Sequence, residues 1–199
     1  RDGGPSDPDA DPLYRVDTAI DRVKGTITGS AVLEGGSDHQ VNWQAAEGYE
    51  VYRVTVDGKE RSEYAGKTSG SHAFTDIRQN HSVVVEFVRV DRVQPELGKG
   101  VVNGDRTDGN QSGDRLTYTL TAKNNQQNTL WKDVVMKDRI PKGMTIDTDS
   151  IYLSKNGGEP VQVDASCYDA DTRLLSVPIG SLLGGDEYVL TFDVLINQV

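Results

Sequence analysis

The chain of 199 residues carries 21 Lys and Arg against 31 Asp and Glu, a net charge of −10 that repels phosphate backbones and argues against nucleic acid as a partner. Its single cysteine, Cys167, excludes an internal disulfide and any cysteine-based metal site. With 35% hydrophobic residues and 21 glycines, the composition fits thin β cores with many turns, and no apolar run approaches the ~18 residues of a membrane-crossing helix, so this fragment is not expected to insert into a membrane.

Residues 1–12, RDGGPSDPDADP, mix Asp, Pro, Gly and Ser and read as an acidic linker. The chain opens on Arg without a signal peptide, and we read it as a fragment of a longer protein. Residues 13–92 form a first β-rich block. Its alternating runs are GTITGSAVL, HQVNWQA, YEVYRVTV and SVVVEFVRV, separated by turn signals such as EGGSD and VDGKE. In the last run Val83, Val85, Phe87 and Val90 share a phase if the strand slips at Arg89. DTAIDRV is the one short helix candidate, and KERSEYAGKTSGSHAF reads as a long exposed loop. DRVQP marks a short joint. Residues 93–199 form a second block with the runs LGKGVVN, DRLTYTLTAKN, LWKDVVMKD, SIYLS, RLLSVPI and EYVLTFDVLIN. Leu116, Tyr118, Leu120 and Ala122 alternate with polar partners, as do Leu190, Phe192, Val194 and Ile196, which is the period of a half-buried strand. The expectation is an all-β chain of two small domains in tandem, the second an immunoglobulin-like β-sandwich.

The motifs KGVVN (99–103), GDRLTYTLTAKN (113–124) and VVMKDRIPKGM (134–144) resemble, in order and spacing, the conserved repeat domain of bacterial surface proteins, related to the isopeptide-forming domains of fimbrial subunits. GTITGSAVLEGGSDHQVNWQAAEGYEVYRVTVDG followed by FTDIRQNHSVVVEF is similar to the divergent internalin B-type repeats of such proteins. The resemblance implies a stalk or adhesin segment, extracellular and on the cell wall of a Gram-positive organism, pilin-like and without enzymatic activity or cofactor. Any host or extracellular-matrix glycoprotein, or carbohydrate, would then be bound through other regions of the full protein. A carbohydrate- or glycoprotein-binding module is the alternative.

The fimbrial relatives join a Lys of an early strand to an Asn of a late strand, assisted by an acid. The resemblance therefore points to Lys99 and Asn197, with Asp138 assisting. Lys99 shares its row with Leu97 and Val101, and Asp138 with Val134, Met136 and Ile140. Burial would supply the neutral amine and the protonated acid that the reaction needs. Strict alternation puts Asn197 on the outer face unless a bulge or the strand's end turns it inward. Asn124 is in phase with Leu116–Ala122 but lies where a turn closes. The competing reading has Lys99 snorkelling from a sheet edge and Asp138 ending a strand. Asp105, Asp108, Asn110 and Asp114 supply hard oxygens of the kind calcium takes, but without the spacing of an EF-hand, and DASCYDADT reads as a turn. No metal site is expected. His39, His72 and His81 read as loop or surface residues, Ser71, His72 and Asp76 lack an oxyanion-hole motif, and Trp43 with Tyr49 would be the only aromatic platform for a sugar.

Overall fold

The computed structural model describes residues 11–20, 24–91 and 93–198. The chain divides into two compact units, residues 1–91 and 92–199. Residues 1–10 of the linker lie outside the described residues.

Among the described residues of the first unit eight strands run in chain order: β1 (Leu13–Ile20), β2 (Gly25–Thr28), β3 (Ala31–Glu34), β4 (His39–Ala45), β5 (Tyr49–Val56), β6 (Lys59–Glu60), β7 (Ser69–Phe74) and β8 (His81–Arg89). They form a five-stranded sheet, β3-β1-β8-β5-β6, and a three-stranded sheet, β2-β4-β7. All pairs are antiparallel except β1 with β8. Val16, Val51, Val54, Val83, Val85 and Phe87 from the larger sheet pack on Val41, Trp43 and Phe74 from the smaller, which makes the unit a sandwich with its own core.

Three expectations for this unit change. Asp17–Ile20 of the helix candidate belong to β1, because their backbone pairs in parallel with Ser82–Val85 of β8; Asp21–Val23 lie outside the described residues. The end of the expected loop is strand β7, paired with β4 from His39↔Phe74 to Gln44↔Ser69. The break in phase sits not at Arg89 but in β5, where the register shifts between Val51 and Arg53, and both Phe87 and Val88 of β8 are buried opposite it.

The second unit adds β9 (Glu96–Asn103), β10 (Arg115–Lys123), β11 (Leu130–Arg139), β12 (Met144–Lys155), β13 (Val161–Gln162), β14 (Tyr168–Asp169), β15 (Leu174–Leu183) and β16 (Glu187–Ile196). The sheets are β13-β12-β16-β10-β9 and β11-β15-β14, all antiparallel. Leu116, Leu120 and Ala122 of β10 and Leu190, Phe192 and Val194 of β16 are the inner rows the alternation predicts. They meet Val134, Met136, Leu175 and Val177 of the smaller sheet in a second β-sandwich core. No helix among the described residues is long and apolar enough to cross a membrane.

Candidate functional site

Residues directly opposite one another on antiparallel strands face the same side of the sheet. Lys99 lies opposite Leu120, Leu97 opposite Ala122 and Val101 opposite Tyr118, so the row Leu97-Lys99-Val101 points to the inner side, as its spacing predicts. Asp138 lies on the inner side of β11, in phase with the buried Val134, Met136 and Ile140. The fold brings these two rows together. The Lys99 ammonium donates to Asp138 Oδ1 at 2.8 Å, lies 2.7 Å from Oδ2, and sits 5.0 Å from the centre of the Tyr118 ring. The pair spans from the edge of one sheet to the edge of the other. It lines a cleft of about 470 Å³ together with Leu120, Val134, Met136 and Trp131.

The cleft does not enclose the lysine. The Lys99 side chain is 48% exposed and Asp138 14%. Leu97 and Val101 beside Lys99 are 69% and 52% exposed, because the smaller sheet ends at β11 and nothing among the described residues covers β9. Lys99 is therefore open to solvent on one side, where the burial expected from its row would have enclosed it.

Asn197 is not brought to the pair. Lys99 is level with Leu120, and Leu120 with Leu190, so Asn197, just past the end of β16, lies seven residues further along the chain. At about 3.3 Å per residue that is roughly 23 Å along the strand direction. Asn197 is exposed; its Oδ1 accepts from Thr145 Oγ1 at 2.8 Å, and its backbone N–H donates to Gly143 O. The physical reason is register: the last strand runs antiparallel to β10, so its end approaches the Asn103 end of β9, not the middle where Lys99 stands.

Asn124 is fully buried and structural. Its Nδ2 donates to Thr129 Oγ1 and Leu182 O, and its Oδ1 accepts from Gln126 N–H and Thr129 Oγ1, so it ties the β10–β11 turn to the end of β15. The acidic loop before β10 is also committed. Asp114 is buried, and Arg106 donates to both its oxygens, through Nε at 2.7 Å and Nη2 at 2.9 Å. Asn103 Nδ2 and Gln111 N–H donate to the same carboxylate. Arg106 first, then Asn103, hold the Asp114 carboxyl down at about 2. Asp105 accepts from Arg115 N–H. Arg106 is the member sequence reading missed; an Arg inside an otherwise acidic, Gly-rich loop was the available signal. In DASCYDADT, Asp164 and Asp169 cap their own turns by accepting from backbone N–H groups two residues on.

The histidines are strand residues, partly buried, rather than loop residues. His39 Nε2 contacts Gly29 O, His72 Nδ1 contacts Tyr64 OH at 3.3 Å, and His81 Nδ1 contacts Asp57 Oδ2 at 2.7 Å while its ring stacks on Phe74. Burial, then the charge of Arg61, pushes the His72 imidazole down. Asp76 binds Arg78, and Ser71 lies exposed in β7, so Ser71, His72 and Asp76 form no relay. Trp43 is 3% exposed and packs edge-to-face on Tyr64, which removes it from any sugar-binding platform; Tyr49 packs against the core.

No family model matches the chain, and no curated protein does. Among solved structures it is similar to the RrgA Jo.In complex, at 18% identity over 54% of this chain and 64% of that one, with a TM-score of 0.38. It is also similar to a membrane anchored protein from Corynebacterium diphtheriae, at 6% identity over 93% of this chain and 50% of that one, with a TM-score of 0.36. The chain thus spans less than two thirds of either, and neither likeness is close enough to bear on what it does. Neither concerns the internalin-type resemblance of residues 13–92.

Proposed function

We propose that this chain is a structural segment, stalk or adhesin spacer, of a bacterial cell-surface protein, displayed outside the cell on the wall and turning over no substrate of its own. One observation carries the reading: each of two successive units closes around its own β core, and three polar side chains of the second unit's motifs are spent on holding it. Asp114 binds Arg106, Asn124 ties a turn, and Asp138 binds Lys99. The three motifs of residues 99–144 supply the surface-protein context. The second unit is held by packing, with a Lys99–Asp138 ion pair in place of a Lys99–Asn197 bond, since the Lys99 and Asn197 side chains stand apart in register.

Three measurements test this. An isopeptide bond removes one ammonia, so the intact mass should equal the sequence mass; a deficit of one ammonia would sink the non-covalent account. Stretching the chain between its ends should give two unfolding events, one per unit. Hydrolysis of a glycoside, ester or peptide by the purified chain, lost on changing one residue, would overturn the structural reading.

A further inference from the structure

The second unit is one strand short on one side. The larger sheet extends to β9, whose inner row Leu97-Lys99-Val101 faces the position beside β11, and no strand among the described residues stands there. Among the described residues β11 pairs only with β15. Beyond a bulge near Asp133 its residues Val135–Arg139 run in regular register with Leu174–Pro178. In an antiparallel ladder alternate residues turn their N–H and C=O groups away from the partner, so this stretch presents unpaired ladder groups on its outer edge. The outer-facing residues there are Val135, Lys137 and Arg139, all exposed. Neither Lys137 nor Arg139 has an acidic partner among the described residues; Arg139 Nη1 donates to the Thr172 carbonyl, which leaves its charge uncompensated. In a chain of net charge −10 the outer row of this edge is cationic, while on its inner side Lys99 and Asp138 neutralise one another.

We propose that the free edge of β11 takes up an extended peptide segment of alternating acidic and apolar residues from a partner protein, as a fourth strand of the smaller sheet. Its backbone would complete the ladder of Val135–Arg139. Apolar side chains on its inner row would cover Leu97 and Val101, which a closed sandwich would bury. Carboxylates would meet Lys137 and Arg139 on the outer row. Lysines and arginines on an edge also discourage pairing, but they do so by repelling their own kind. Against an acidic strand the same charges select the partner and fix its register. This inference concerns the edge itself and does not depend on where the chain is displayed.

The test uses the 199-residue chain and two fluorescein-labelled heptapeptides, VEVEVEV and VKVKVKV, followed by anisotropy and by backbone amide NMR shifts. The expected result is binding of the acidic peptide at least tenfold tighter than the basic one, with shifts confined to residues 97–101 and 135–139. The double variant Lys137→Glu, Arg139→Glu changes only exposed positions and should reverse the preference. N-methylation of alternate amides in VEVEVEV should abolish binding. No binding, equal binding of the two peptides, equal binding of the N-methylated form, or shifts elsewhere would each overturn the proposal. So would self-association of the chain through β11 that VEVEVEV does not displace, since the occupant would then be a second copy.

Discussion

Asp114 shows how a polar side chain decides local order in a chain with thin cores. Its carboxylate gathers Arg106, Asn103 and the Gln111 amide, and with them the loop between β9 and β10. The folded carboxyl sits at about 2, below its ordinary 3.8, so the folded state binds its proton less readily than the unfolded one. The stability it contributes is full above about pH 4 and is lost as pH falls through about 2. Acid unfolding followed between these values should show this loss, and Asp114→Asn should lower stability at pH 7 while flattening that part of the curve. Lys99 is the contrasting case. Its ammonium is half exposed, so replacing it costs little: about 0–1 kcal/mol for the pair with Asp138 and ~0.5–1 kcal/mol for the contact with Tyr118. Lys99→Met, whose stem still packs in the cleft, should therefore shift the denaturation midpoint only slightly. A covalent clip closing a loop of about a hundred residues would instead be worth ~4–5 kcal/mol, and a loss of that size would restore the isopeptide reading.

At the scale of elements, alternation made the strands of the second unit legible. Where each strand buries one face, as in Leu116–Ala122 and Leu190–Val194, the period of two is written directly in residue type. It failed where the inward positions are not uniformly apolar, as with Gly70, His72 and Phe74 of β7. In β7, SGSHAF, the inward residue opposite Trp43 is Gly70, and its missing side chain is the structural content: a Cβ there would lie 2.8 Å from Trp43 Cζ2. A glycine that makes room for an indole and a glycine in a flexible loop look alike in sequence. Gly70→Val should force the Trp43 ring from its place against Tyr64 and cost ~1–3 kcal/mol, read by denaturation and by a shift in tryptophan fluorescence. If neither changes, β7 is not held as described. The candidate site was half legible for a related reason. Phase placed Lys99 and Asp138 on inner rows, since phase is local, but the distance from Lys99 to Asn197 depends on which strand ends meet, and that is set by registers across β9, β10 and β16. Likewise, nothing in the row Leu97-Lys99-Val101 reveals that the opposite sheet stops at β11 and leaves it uncovered.

At the scale of the molecule, the two buried clusters share no residue: one is built from Val16 to Phe87, the other from Leu116 to Val194. Hydrophobic stabilisation acts only between groups in contact, so a cavity in one core should leave the other unaffected. Phe192 tests this most sharply. It is fully buried and stacks on Tyr118 at a centroid distance of 5.5 Å and an interplanar angle of 10°. Phe192→Ala removes the ring and the contacts around it and should cost about 3–5 kcal/mol, a large share of the stability of a domain of this size. Hydrogen exchange should then show protection lost in β10, β12 and β16 while the amides of β4, β5 and β8 exchange as before. If the chain bears load as proposed, this separation lets one unit yield while the next still holds. Protection lost across both units would instead mean that they fold as one, and the two unfolding events expected on stretching would merge.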